Sequence, residues 1–377
     1  MAGIYIHIPF CKKACTYCDF HFSTSLKYAD EMVDAICTEI RLKKNRLQHE
    51  TIGSIYFGGG TPSVLSPIAL GKIFDTLTSC FSIAADAEIT MEANPDDLDQ
   101  SKINALRQLP VNRFSIGIQS FFEEDLMWMN RAHNAIEAET CVKRSQDAGF
   151  ENLSIDLIYG YPLLTDEKWL KNIATAIDLK TPHISAYSLT VEPRTALANA
   201  IQKGKQLGMD DEQSAAQFLS LNQQLTEAGF EHYEISNYSL KGCYAVHNTN
   251  YWRGVPYLGI GPSAHGFDGT TRYLNVANNA KYLSALAENE LPETIEELAQ
   301  IDQFNEYIMT ALRTQWGVDL YKIENDFGKK FAEHTRLQVA KFIVDEQVVL
   351  DKNTILLTQR GKLFADGIAA ELFAEED

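Results

Sequence analysis

Nowhere in these 377 residues is there a run of the ~20 uninterrupted apolar residues that a membrane helix needs. Nor does a basic stretch followed by an apolar one open the chain; Met1-Ala2-Gly3 leads straight into a strand-like segment, and nothing in it directs export. A basic face is also missing: 51 acidic residues outnumber 33 basic ones, giving a net charge of -18. A nucleic-acid binder would show a Lys/Arg stripe to neutralise phosphates. The one short cluster, Arg41-Leu42-Lys43-Lys44-Asn45-Arg46, closes a predicted helix, where cations favour the dipole. Nucleic acid is therefore not an expected partner. A disulfide framework is absent too, because Cys37, Cys80, Cys141 and Cys243 are scattered singly, as buried free thiols of a reducing compartment are. Repeats and low-complexity tracts are lacking, and the acidic tail is expected to be solvated. What remains is a globular, cytoplasmic protein, 45% apolar, long enough for two or three domains.

The other three thiols are not scattered. Tyr5-Ile6-His7-Ile8-Pro9-Phe10 reads as a strand and runs into Cys11-Lys12-Lys13-Ala14-Cys15-Thr16-Tyr17-Cys18. Thiolates at this density can converge on one inorganic centre, and sulfur donors select zinc or iron–sulfur clusters. Structural zinc wants four ligands, usually in two close pairs, and no second pair follows at that distance. A cubane held by three thiolates leaves one iron open to a small molecule. The Cys-x-x-x-Cys-x-x-Cys spacing resembles that of radical S-adenosylmethionine (SAM) proteins. That resemblance implies a [4Fe–4S] cluster on Cys11, Cys15 and Cys18, with SAM on the fourth iron and Tyr17 packed near it.

Up to about Pro193, apolar runs alternate with amphipathic ones. Strands are expected at Tyr5–Ile8, Ser54–Phe57, Glu88–Glu92, Arg113–Ile118, Leu153–Ile158 and His183–Leu189, with helices near 26–46, 67–80, 99–108, 134–148 and 166–178. Six β/α alternations predict an α/β fold with a parallel sheet, a partial (β/α)6 barrel whose ligand chemistry lies at the carboxyl ends of its strands. The polar residues obey that rule. Gly58-Gly59-Gly60-Thr61-Pro62 follows the second strand and lets backbone approach a ligand. Met91-Glu92-Ala93-Asn94-Pro95 puts a carboxylate at the end of the third, and Gly117-Ile118-Gln119-Ser120 ends the fourth, with Arg131 beyond it. Asp156 sits inside the apolar run Leu153–Ile158, where a charge needs a partner or a ligand such as a ribose diol.

These motifs, together with Ile6-His7-Ile8-Pro9-Phe10-Cys11, resemble the anaerobic coproporphyrinogen III oxidase-like branch of radical SAM proteins, from residue 4 to beyond residue 265. By that resemblance Tyr5, the loop Gly59-Gly60-Thr61 and Glu92 surround the cluster-bound SAM. Tyr17, Gln119, Arg131 and Asp156 match the contacts of a second SAM in the oxidases.

After Pro193 the pattern becomes helical and polar, with one long amphipathic helix over Met209 to Gly229. His247-Asn248-Thr249-Asn250-Tyr251-Trp252 then combines an imidazole with large aromatics, a set that can offer haem an axial ligand and a flat wall. His-Asn-x-x-Tyr-Trp resembles the hallmark of HemW-type haem chaperones and makes His247 the first candidate for haem contact. His265, near a glycine-rich turn, is the second. From about Glu297, helices followed by the hairpin-like run Val348–Leu357 suggest a winged-helix-like α+β module without a basic face, a lid or interaction surface. The expected domains are a barrel over 1–195, a connecting segment over 196–296 and the C-terminal module over 297–377.

Two functions follow. One is an oxygen-independent coproporphyrinogen III oxidase, which decarboxylates propionates by radical chemistry. The other is a haem chaperone that passes haem to acceptors such as membrane respiratory complexes, with cluster and SAM governing transfer or homodimerisation and a flavodoxin or ferredoxin supplying electrons. The oxidases resemble Cys-x-x-x-Cys-x-x-Cys-x-Cys and carry an N-terminal extension. Here Phe20 stands at the fourth cysteine, and the chain starts at its first strand. Both departures favour the chaperone; whether SAM is cleaved stays open.

Overall fold

The computed structural model describes residues 1–47 and 49–375, so the last two residues of the acidic tail lie outside the described residues. Six parallel strands run in sequence order: β1 (Ala2–Ile8), β2 (Ile52–Gly59), β3 (Ile83–Ala93), β4 (Arg113–Gln119), β5 (Asn152–Tyr159) and β6 (His183–Ser188). Their crossovers carry the helices Ala29–Lys43, Pro67–Cys80, Gln100–Leu106, Ala135–Asp147 and Asp166–Asp178. Local chemistry starts these helices where expected: Ser66, Asp99, Asn134 and Thr165 each accept a backbone N–H from the first turn, and Pro67 follows Ser66 at the first helical position. On β1, Ile4, Ile6 and Ile8 join Val33, Ile36 and Ile40 in the main core, while the alternate residues Tyr5 and His7 turn to the concave face.

The sheet does not stop at six strands. β7 (Glu231–Glu234), β8 (Asn237–Ser239), β9 (Tyr257–Ile260), β10 (His265–Phe267), β11 (Thr271–Asn275) and β12 (Glu293–Glu297) extend it to the order β12-β11-β10-β9-β1-β2-β3-β4-β5-β6-β8-β7. The stretch 196–296 thus flanks both edges of the barrel, with β9 parallel to β1 and β8 antiparallel to β6. Strands of three to five residues leave no periodicity to read. The C-terminal part forms a second core around Phe304, Ile308, Leu320 and Val339, with a three-stranded sheet of β13 (Val318–Asp319), β14 (Val348–Asp351) and β15 (Thr354–Leu357) beside the helices Gln300–Leu312 and Lys329–Val344.

A buried ion pair fastens the β9–β12 edge to the first helix. Lys43, 1% exposed, pairs with Glu39 and Glu293 and donates to Gly259 O (3.0 Å) and Asn275 Oδ1 (3.2 Å). Glu39 in turn accepts from Gly261 N, Asn275 Nδ2 and the Tyr282 hydroxyl. Removing one member strands the other charge in the interior. Lys43→Met is expected to lower the unfolding free energy by about 3–5 kcal/mol, read from urea midpoints, and the double variant with Glu39→Gln to recover part of it.

Candidate cofactor cleft

The cluster loop leaves β1 and is held against the end of β2 by backbone bonds that continue the parallel pairing: Gly60 N donates to Ile8 O (2.9 Å) and Thr61 N to Phe10 O (2.6 Å). No side chain fits at Gly60, since a Cβ there would stand 2.5 Å from Phe10 O. Gly59 has φ +102°, and a Cβ on it would collide with the His7 ring. The glycines therefore serve the close approach of two strand ends as much as any ligand.

Above this seam lies a cavity of about 440 Å³ at the carboxyl ends of the strands. Cys11, Cys15, Cys18, Tyr17, Gly59, Gly60, Thr61, Glu92, Gln119, Arg131 and Asp156 all line it. The thiols are already engaged. Thr61 Oγ1 donates to Cys11 Sγ (3.5 Å) and Arg131 Nη1 to Cys15 Sγ (3.3 Å). Arg131 Nη2 is anchored on Asn94 Oδ1 and Gly117 O, both at 2.7 Å. Burial raises the Cys11 thiol and pushes Cys18 up to about 11, with Cys15 adding to both. Coordination to a metal cation would reverse this preference, because a coordinated thiol is deprotonated. Among the described residues no three His, Cys, Asp or Glu side chains are grouped for a single metal ion.

The carboxylates are strained electrostatically. Burial raises Glu92 to about 7 although the Tyr56 hydroxyl (2.7 Å) and Gly59 N (3.2 Å) donate to it. Asp156 rises to about 6, again by burial, against hydrogen bonding from Ser185 and from the Ser115 hydroxyl at 3.4 Å. Arg113, 1% exposed at the start of β4, lowers both. Two polar atoms at the cleft have no partner among the described residues, Gln119 Oε1 and Arg131 Nε, and Gln119 holds a left-handed φ of +67°. Unpaired buried donors and acceptors at a strained position are the mark of a ligand-facing surface.

Tyr5 and His247 stand one layer back. Tyr5 stacks on Tyr56 (6.1 Å between centroids), and Tyr56 stacks on His247 (5.2 Å). His247 is 1% exposed, with Nδ1 on Ser54 Oγ and Nε2 on Tyr251 Oη, both at 2.8 Å. Burial, then the nearby Arg113, holds it neutral, at about 3. Glu88 receives the Val246 and His247 amides at the start of the helix Val246–Trp252, so the motif is seated in the barrel and turns Asn248 to the cleft. Trp252 lies under the Arg313 guanidinium (5.5 Å), reaching the C-terminal unit. In this arrangement His247 is a satisfied core histidine, and a metal could bind it only by displacing the Ser54 or the Tyr251 hydroxyl from one ring nitrogen.

Sequence reading missed Tyr56, Asn94, Arg113, Ser115, Ser185 and Asn248. Tyr56 shares its strand face with Gly58, and Asn94 lies within a motif already singled out, so both were accessible through alternation. Arg113 reads as a surface cation at a strand start, and only the assembled sheet turns it inward.

The concave α/β sheet with three thiols at one strand end belongs to a radical SAM domain: the family model "Radical SAM superfamily" matches residues 5–176, with "HemN C-terminal domain" matching 298–364. "Heme chaperone HemW" of Bacillus subtilis is 32% identical over all of both chains. Its namesake in Mycobacterium tuberculosis is 32% identical over 98% of this chain and 94% of that protein, and the Escherichia coli one 38% over 70% and 69%. The chain belongs to the HemW family. The solved E. coli coproporphyrinogen III oxidase shares its fold, with TM-score 0.86 over 99% of this chain and 90% of that one at 23% identity.

His247→Ala is expected to cost about 2–4 kcal/mol by opening a cavity and orphaning the Ser54 and Tyr251 hydroxyls. Chemical denaturation of the variant checks this, an undisturbed midpoint contradicting the core role.

Proposed function

We propose that this protein is a haem carrier that holds a [4Fe–4S] cluster on Cys11, Cys15 and Cys18, takes SAM in the same cleft, and delivers haem to acceptor proteins such as respiratory haemoproteins. The observation that carries the reading is full-length similarity to relatives named haem chaperones. The cleft suits the two cofactors: three thiols, a glycine seam and unpartnered polar atoms meet in one cavity. When bound, such a cluster supplies an electron and an open iron for the methionine end of SAM.

The residues of this chain have distinct tasks in that reading. Glu92 accepts from the SAM amino group, Asp156 from the ribose hydroxyls, and Arg131 offsets thiolate charge at Cys15. Tyr17 walls the ligand, and Gln119 Oε1 accepts from it. Tyr5 and His247 position Tyr56 from behind. Phe20, 68% exposed at the cleft mouth, occupies the place of the oxidases' fourth cysteine and supports carriage over decarboxylation. An electron donor of flavodoxin or ferredoxin type and a SAM-dependent homodimer complete the proposal, with the C-terminal unit over 297–377 as the surface toward the acceptor. Like the scattered thiols, the lack among described residues of any helix long and apolar enough to cross a membrane is compatible with a cytoplasmic carrier.

The test is anaerobic reconstitution followed by parallel incubation with coproporphyrinogen III and haem. Retention of haem and its transfer to an apo-haemoprotein, with coproporphyrinogen unchanged, is the expected result; formation of protoporphyrinogen overturns it in favour of the oxidase. SAM affinity should also depend on pH. Glu92 is ionised above about 7 and protonated below, losing its acceptor charge. Binding should tighten as pH rises from 6 to 8 in calorimetric titrations, and Glu92→Gln should flatten that dependence.

A further inference from the structure

A haem carrier needs an imidazole that iron can reach, and the nine histidines can be sorted by what their ring nitrogens already do. His7, His183, His232 and His247 have both nitrogens bonded. His21 has Nε2 on Asn279, His133 is buried with Nε2 on Ile118 O, and His334 has Nε2 on the carbonyls of Leu372 and Phe373. Among the described residues only His49 and His265 have rings without a hydrogen-bond partner, and both are exposed. His49 lies between the first helix and β2, at the amino edge of the sheet, away from the cluster loop.

His265 is different in place and setting. It opens β10 at the carboxyl edge, where the turn from β9 brings Gly261 against His7 O at the end of β1. The seat is built: a Cβ on Gly259 would stand 1.9 Å from His265 O, so only glycine lets β10 cross β9 here. Directly opposite on β11 stands Leu274, 41% exposed, and two residues along β10 is Phe267, half-buried, with the Arg272 guanidinium 5.3 Å above its ring. Burial and the charge of Arg272 lower the His265 pKa, which favours the neutral form that binds iron. The cleft itself offers about 440 Å³, which the proposed function gives to the cluster and SAM.

We infer that His265 is the axial ligand for the carried haem, with Leu274 and Phe267 as its apolar neighbours beside the macrocycle; Arg272 is held by Glu306 (2.7 Å) and is not assigned to a propionate. The inference rests on the haem-carrier reading and assigns its cargo site to the β9–β11 edge beside β1, outside the SAM cleft. Haem there is at the surface, where an acceptor can take it directly, and it touches none of the cluster ligands.

The experiment is a haemin titration of the full-length protein, following the Soret band, for the wild type and for His265→Ala, His247→Ala and Leu274→Glu. Expected are a loss of about tenfold or more in affinity and a changed Soret maximum for His265→Ala, with added imidazole restoring the wild-type spectrum. Leu274→Glu should weaken binding without moving the maximum, and circular dichroism should show both variants folded. Wild-type affinity and spectrum in His265→Ala, or a spectral change in His247→Ala alone, would overturn the assignment while leaving the carrier reading intact. A wild type that binds no haem would overturn both.

Discussion

The parallel pairing of β1 with β2 is the constraint on which the rest depends. It runs in register from Gly3–Ser54 to Ile8–Gly59, then continues past the strands through the amides of Gly60 and Thr61. Cys11 follows Phe10 directly, so the position of the first thiol is set by this seam and not by its own loop. The same seam brings Glu92 onto Gly59 N and Thr61 onto Cys11 Sγ. A single added methyl at Gly60 would force the strand ends apart and carry the cluster loop with them.

Around that seam the interior concentrates charge. Glu88, Glu92 and Asp156 face one buried cation, Arg113, whose Nε is 3.8 Å from Glu88 and has no hydrogen-bond partner among the described residues. Burial leaves Glu92 and Asp156 above their ordinary range despite the charge of Arg113, ready to gain from a ligand that brings hydrogen-bond donors. Glu88 spends its oxygens differently, on the amides that begin the His-Asn-x-x-Tyr-Trp helix. That helix thus links the barrel interior, through Trp252 and Arg313, to the C-terminal unit. Its histidine works as a brace, which explains why an imidazole is needed there without being offered to solvent.

Local patterns made much of this legible. The six strands of the barrel lie within a few residues of where apolar runs place them, and the helix 166–178 begins at its Thr165 cap. Eleven of the thirteen proposed cluster and cofactor residues line one cavity, because motifs at the carboxyl ends of successive parallel strands converge by geometry. The flanking strands β7 to β12 were not legible, being too short for a period and held by distant partners such as Lys43 and Glu39.

By itself, then, the sequence determined the α/β alternation, the three-thiol loop and the kinship they announce, because each of these is written within a few consecutive residues. Which histidine is free and which is buried was decided only by the tertiary structure. His247 and His265 look alike as residues among aromatics and glycines, but one is enclosed by Ser54, Tyr56 and Tyr251 and the other is lifted to the surface over Gly259. The physical reason is that hydrogen-bond satisfaction at His247 depends on Ser54, 193 positions away, and the exposure of His265 on how β10 packs over β9, both of which exist only once the sheet has assembled.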